Sequence, residues 1–360
     1  MKKIITSNLL IFNIIFVFAQ APAGYYDSAN GMSNNNLRLA LNNIISDHTD
    51  ITYGGLWNAY RETDSRVEDG ILYVWDMYSN CDFTFGAPYQ DTGGAAPSEC
   101  MYYNREHSVP QSWFGGASPM YSDIFHIYPT DKKVNAERSN YPFGEVNNPS
   151  YTSANGSKRG NSSFAGYSGI AFEPIDEYKG DFARTYFYMA TCYVDKNFTS
   201  GEGNIVFTYT NSTCNFTNYA VNLFLKWNRQ DPVSQKEIDR NNVIFNNIQG
   251  NRNPFIDHPE LAEYIWGIYA ETGTPWNSSD NIDNIAAIPI TIIFNKQNST
   301  VQILCEQTFN SFTVTNLSGQ TVSNGNVNEN IIQLNPLANG LYLITLNNNL
   351  VKITQKLLVF

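Results

Sequence analysis

The sequence predicts an α+β chain in two parts, a helix-rich domain followed by a small all-β sandwich. Helix-period apolar runs recur as far as Gly250, and from about Asn277 they give way to short alternating apolar runs separated by Asn, Gly and Ser. A third observation locates the chemistry: between Met101 and Asn140 the pattern reads strand, loop, strand, helix, and the residues able to bind a metal or move a proton gather there.

Taken in order, the chain opens with Lys2 and Lys3 ahead of a mostly apolar run from Ile4 to Phe18, closing at Ala19 before Gln20. That is the pattern of a cleavable secretory signal over residues 1–19. The run is short for a spanning helix and is interrupted by Asn8 and Asn13. No later stretch is apolar enough to span a bilayer, so no stable membrane insertion is expected. The rest of the chain exceeds one ordinary core and fits two domains of roughly 100 to 200 residues each. Lys and Arg number 22 against 33 Asp and Glu, a net charge of −11. Such a charge repels polyanions at long range, so a nucleic-acid ligand requires local cations or a bound metal.

In the first part, "NNNLRLALNNIISDH" from Asn34 places Leu37, Leu41, Ile44 and Ile45 at helical spacing after Ser33 as a cap. "DFARTYFYMATCYVD" from Asp181 and "AVNLFLKWNRQ" from Ala220 carry the same period, and "VSQKEIDRNNVIFNNIQG" from Val233 ends at Gly250, as a helix does. Asp231 and Asn253 read as turn residues whose side chains bond nearby backbone. Five cysteines without a CxxC pair, in an exported chain, favour disulfides over a metal cluster. Cys81 with Cys100 and Cys192 with Cys214 close the shortest loops, leaving Cys305. The second part, with runs such as "TIIF", "SFTVTNL" and "GLYLITL", contains no histidine, and Glu306 and Glu329 are its side-chain carboxylates, so chemistry is not expected in it.

In the strand–loop–strand–helix segment, "MYYNREHSVP" reads as a strand ending at Pro110 and "DIFHIYP" as a second strand stopping at Pro129. Thr130 or Asp131 then caps a helix beginning "KKVNAERSN". This order brings Glu106, His107 and Asn135 together. A Glu-His pair at a strand end is, alone, ordinary surface decoration. With Asn135 beside it, the carboxylate and amide oxygens suit a hard divalent ion such as Mg²⁺ or Ca²⁺, and an imidazole left off the metal is free to take a proton from water.

The stretches "NREHSVPQSWF", "DIFHIYPTDKKVNAERSNYPFGEV" and "QGNRNPFIDHPELAEYIW", with "LWNAYRETD", "FEPIDEYKGDFAR" and "WNRQDPVSQKEIDRNN", resemble the bacterial endonuclease I family of His-Me finger (ββα-metal) nucleases. The resemblance runs from about Tyr25 to Trp266. It implies a helix-rich nuclease domain over 20–276 containing a ββα-metal finger, with His107 as general base and Glu106 and Asn135 holding a single divalent ion. The ion expected is Mg²⁺, with Ca²⁺ or Mn²⁺ as alternatives. The implied activity is a sequence-nonspecific cut of DNA, and of RNA as a further substrate, leaving a 5′-phosphate and a free 3′-hydroxyl.

Some members of that family carry an arginine for the cleaved phosphate in a long insertion after the Glu-His pair, and the loop from Ser108 to Ser122 contains none. Arg138, one turn after Asn135, and Arg252 in "QGNRNPF" are the candidates here, each with structural ion pairing as the alternative. His126 is a candidate for touching phosphate, with a core hydrogen-bonding role as its rival, and His48 and His258 read as structural. "FTVTNLSGQTVSNG", "IIQLNPLANGLYLITL" and "KITQKLLVF" resemble the C-terminal sorting domain of the type IX secretion route. A linker over 277–289 and a sorting sandwich over 290–360 follow, engaging secretion machinery and sending the protein outside the cell or to its surface. The other reading is a non-catalytic nucleic-acid or surface-binding protein that keeps the nuclease fold.

Overall fold

The computed structural model describes residues 21–278 and, beyond them, 291–295, 298–304, 309–316, 320–328, 330–347 and 352–359. The expected signal segment, Cys305 and positions 279–289 of the expected linker lie outside the described residues. The chain forms two compact units that divide between Ser278 and Ser279.

In the first unit, α1 (Asn34–Ile45) follows Ser33 and buries Leu37, Leu41 and Ile45, its apolar stripe. α2 (Thr52–Thr63) leads into a hairpin of β1 (Ser65–Glu68) and β2 (Ile71–Val74). β3 (Tyr103–His107) and β4 (Ile127–Asp131) pair antiparallel, Tyr103 opposite Asp131 and His107 opposite Ile127. α3 (Lys132–Arg138) starts at once, because the Asp131 carboxylate accepts from the backbone N–H groups of Lys133 and Val134 at 2.7 and 3.0 Å. Next come the three-stranded sheet β5 (Val146–Thr152), β6 (Lys158–Ser162) and β7 (Ile170–Glu173), and then α4 (Lys179–Cys192). α5 (Gly203–Val206) precedes the hairpin of β8 (Phe207–Thr210) and β9 (Thr213–Phe216), followed by α6 (Asn218–Gln230) and α7 (Gln235–Val243).

α4 is buried along its whole length and forms the axis of the unit. Its charges tolerate burial because they are paired. Arg184 reaches Glu237 with two bonds of 2.5 and 2.8 Å, and Lys236 reaches Asp181 at 3.1 Å. Glu237 also completes a capping box with Ser234, so one carboxylate both starts α7 and ties it to α4. From α7, Arg240 pairs with Asp64 at 2.9 Å and donates to the Ile124 carbonyl at 2.5 Å, which fixes the chain just before β4. α7 runs on through a π turn, Ile244–Ile248, to Gly250 at φ +81°.

Several boundaries differ from the expected ones. The first strand ends at His107, not at Pro110. Residues Ile124–His126 form a 3-10 turn because Asp123 caps them, accepting from the Phe125 N–H at 2.9 Å, so His126 precedes the second strand instead of lying on it. The strand then continues through Pro129 to Asp131; a two-stranded sheet has edges where a missing N–H costs nothing. Asn253 caps Pro254–Asp257 by accepting from Phe255, as expected, whereas Asp231 accepts from the distant Gly180 N–H.

Cys81 and Cys100 form a disulfide closing a separation of 19 residues. The expected Cys192–Cys214 bridge is absent, and both thiols are free and buried. The Cys192 thiol, at the end of α4, faces the Ile45 carbonyl at 3.7 Å, while Cys214 on β9 lies beside Arg38. Replacing Cys81 and Cys100 by serine is expected to lower stability by about 3 kcal/mol, the loop-closure entropy for a span of this size. The shift in urea midpoint reads this out, and an unchanged midpoint would show that the bridge adds nothing.

The second unit is all strand: β10 (Thr291–Asn295), β11 (Thr300–Leu304), β12 (Ser311–Asn316), β13 (Thr321–Asn326), β14 (Ile331–Gln333), β15 (Gly340–Asn347) and β16 (Lys352–Val359). They form two antiparallel sheets, β10-β11-β14 and β13-β12-β15-β16. Val301, Ile303 and Ile332 from the first meet Phe312, Val314, Ile344, Leu346, Leu357 and Val359 from the second in one core. The spacing of two within each strand is what a sheet with one buried face requires.

Candidate active site

The alternation of β3 divides the site between two faces of one strand. Asn104 and Glu106 face α3. The Asn135 amide nitrogen donates to Asn104 Oδ1 at 2.9 Å, and Arg138 Nε pairs with Glu106 Oε1 at 3.3 Å. Spacings of two on the strand and three on the helix thus match rung for rung. Arg105 and His107 face the other way, onto Tyr53: the Arg105 guanidinium lies 3.5 Å over the Tyr53 ring, and the His107 ring stacks on it at 5.6 Å and 19°.

Glu106 is buried, 2% exposed, and its Oε1 takes both the Tyr78 hydroxyl, at 3.1 Å, and the Arg138 ion pair. Burial pushes its carboxyl up to about 7 against the opposing pull of Arg138 and Tyr78. Oε2 accepts no hydrogen bond from the described residues, and neither does Asn135 Oδ1, since the Asn135 contact runs through its nitrogen. The chain therefore offers a carboxylate oxygen and an amide oxygen from one face, with no thiol beside them. That set fits a hard divalent cation, which would also relieve the cost of a buried carboxylate.

The His107 Nε2 lies 3.1 Å from the Tyr121 carbonyl. A carbonyl only accepts, so Nε2 carries the proton and Nδ1 presents a lone pair with no described partner. Burial pushes the imidazole down to about 3, and His126 adds to the shift, so the ring is neutral near pH 7. The Tyr121 ring also stacks on His107 at 5.3 Å. Its backbone is held in turn: Asp50 accepts from the neighbouring Ser122 hydroxyl, and Asp123 accepts from the hydroxyls of Tyr188 and Tyr193 at 2.8 and 2.7 Å.

The other expected site residues are committed elsewhere. Arg138, 1% exposed, donates to the carbonyls of Ser108 and Ser139 besides pairing with Glu106. Arg252 is spent on Asp257 and on Asn242 at 2.7 to 2.9 Å. The buried His126 donates to the Met120 carbonyl at 2.7 Å. His48, Asp123 and Cys192 have ligand atoms within 4.8 Å of one another. Hydrogen bonds already engage that cluster, through the Tyr193 hydroxyl on His48 at 2.9 Å and two tyrosine hydroxyls on Asp123. Neither Asn104 nor Tyr121 stands out as a site residue in the sequence motif. Asn104 had a signal, two residues before Glu106 on a strand, whereas Tyr121 acts through its backbone and had none.

Among the described residues, no helix is long and apolar enough to cross a membrane. Residues 33–260 match the Endonuclease I family, and residues 292–360 match the secretion system C-terminal sorting domain. An extracellular ribonuclease of Bacillus amyloliquefaciens is 36% identical over 254 residues, 67% of this chain and 78% of the relative. One from Bacillus subtilis is 34% identical over the same shares. An endonuclease-1 of Buchnera aphidicola is 30% identical over 135 residues, 38% of this chain and 44% of the relative. The chain belongs to the endonuclease I family. It is a nuclease, and its sorting domain makes it a secreted or cell-surface protein.

Proposed function

We propose that the chain is a metal-dependent, sequence-nonspecific endonuclease that hydrolyses phosphodiester bonds of DNA and RNA, with β3, β4 and α3 as a ββα-metal finger. The observation that supports this most is the set of three unengaged acceptors on that unit, Glu106 Oε2, Asn135 Oδ1 and His107 Nδ1. Glu106 and Asn135 would hold one divalent ion, Mg²⁺ foremost, which would supply Lewis-acid stabilisation of the negative charge that develops during cleavage. His107, neutral and fixed in one tautomer by the Tyr121 carbonyl, takes the proton of the attacking water at Nδ1. The water oxygen bonds to phosphorus as the bond to the 3′ oxygen breaks, and the departing oxygen takes a proton from solvent water, leaving a 5′-phosphate and a 3′-hydroxyl. Because base and ion ligands sit on opposite faces of β3, the phosphate lies across the strand's end at His107.

Catalysis is assigned to residues 20–276 and engagement of secretion machinery to 290–360. The test is cutting of plasmid DNA and of total RNA by the full chain and by one ending at Trp276, with and without EDTA. Both chains are expected to cut, to stop in EDTA, and to recover when Mg²⁺ is added in excess. Cutting that persists in EDTA contradicts the metal, and a silent short chain contradicts the domain division.

A further inference from the structure

Two arginines stand apart from the rest. Arg66, Arg138, Arg159, Arg184, Arg229, Arg240 and Arg252 each pair with a carboxylate. Arg38 is buried against the Cys214 carbonyl. Arg105 and Arg61 have no carboxylate partner among the described residues and are held by aromatic rings instead. In a chain of net charge −11 an uncompensated, solvent-reaching arginine is uncommon, and these two lie on one strip.

The strip follows α2. Tyr53, Trp57 and Arg61 recur every four residues and so share a face. The Arg105 guanidinium lies over the first two, 3.5 Å from the Tyr53 ring centre and 4.3 Å from that of Trp57, with Nη1 donating to the Tyr53 carbonyl at 2.6 Å. Arg61 lies 5.1 Å over Phe85 and is exposed. The head of the strip is His107, stacked on Tyr53. A guanidinium pinned on a ring face and bonded at one nitrogen keeps its remaining N–H groups at its edge, ready for the two oxygens of a phosphate. The helix backbone rises about 6 Å from Trp57 to Arg61, a step comparable to that between neighbouring phosphates of a strand.

We infer that Arg105 and Arg61 bind successive phosphates of one nucleic-acid strand and lead it along α2 away from His107. This rests on the nuclease reading above. Phosphates are common to DNA and RNA, so the track serves both, and its half-buried aromatic floor positions the guanidinium groups.

The test uses the full chain carrying His107→Ala, so that the strand is bound without being cut, and a labelled single-stranded DNA or an RNA of the same sequence, followed by fluorescence anisotropy across a salt series. For Arg61→Gln and for Arg105→Gln, the slope of log affinity against log salt is expected to fall by about 0.7 each, with the two losses adding and the same on both probes. Arg105→Lys, which keeps the charge, is expected to restore the slope. Thermal melting alongside shows that each variant is folded, a matter chiefly for Arg105 because it also holds the Tyr53 carbonyl. An unchanged slope in either folded Gln variant overturns the track, as does a fall in slope confined to one of the two probes. If the chain with His107 intact cuts neither DNA nor RNA, the nuclease reading beneath the track is what fails.

Discussion

His107→Ala is expected to lower turnover at least ~10²-fold on both plasmid DNA and RNA, the usual range for loss of a general base. The cause is local. The Nδ1 lone pair is the one base that the Tyr53 face of β3 presents, and no described neighbour offers a replacement. Tyr121 on the same ring stack is a phenol, and His126, the nearest other imidazole, is buried and turned onto the Met120 carbonyl. His107→Gln, of similar length, should be equally slow, because an amide does not accept a proton from water near neutral pH. Loss of the Nε2 bond to Tyr121 weakens the packing of one turn, so melting curves belong beside the rates. Turnover within threefold of the parent would remove His107 from the chemistry.

Glu106→Ala should have the larger structural effect. Besides the oxygen proposed to bind the metal it removes the carboxylate facing Arg138, a guanidinium 1% exposed, and stranding a buried charge costs roughly 3–5 kcal/mol. Ion affinity and stability are therefore expected to fall together. Asn135→Ala separates the two. It deletes the proposed neutral ligand from a half-buried helix position whose described side-chain contact is the single bond to Asn104, so ion affinity and turnover should fall with little change in melting. Excess Mg²⁺ should restore part of the Asn135→Ala rate. If Asn135→Ala bound the ion as tightly as the parent, the amide would not be a ligand.

Much of this was legible in the residues. Alternation in "NREH" puts Glu106 and His107 on opposite faces; Asp131 announces the start of the helix that carries Asn135; Gly250 stops the long helix; and spacings of two mark the strands of the second unit. What escaped is what lies across a face. Periodicity shows that Arg138 shares a face with Asn135, but not that Glu106 stands opposite and pairs with it. The Tyr121 carbonyl is a backbone group and leaves no trace in side-chain pattern. Cys192 and Cys214 are near in sequence, yet one closes a helix and the other sits mid-hairpin with different neighbours, so loop length misjudged them. In the other direction Arg105, adjacent to the motif throughout, gained meaning when α2 proved to supply the rings beneath it.

The division of labour across β3 is tested most directly by calorimetric titration of Mg²⁺ into the full-length His107→Ala and Asn135→Ala chains, each paired with a plasmid-nicking assay. The expected result is an ion affinity in His107→Ala equal to the parent's with nicking reduced at least ~10²-fold, and a weakened affinity in Asn135→Ala. Loss of the ion from His107→Ala, with Asn135→Ala binding it as the parent does, would make the imidazole a ligand and contradict the mechanism.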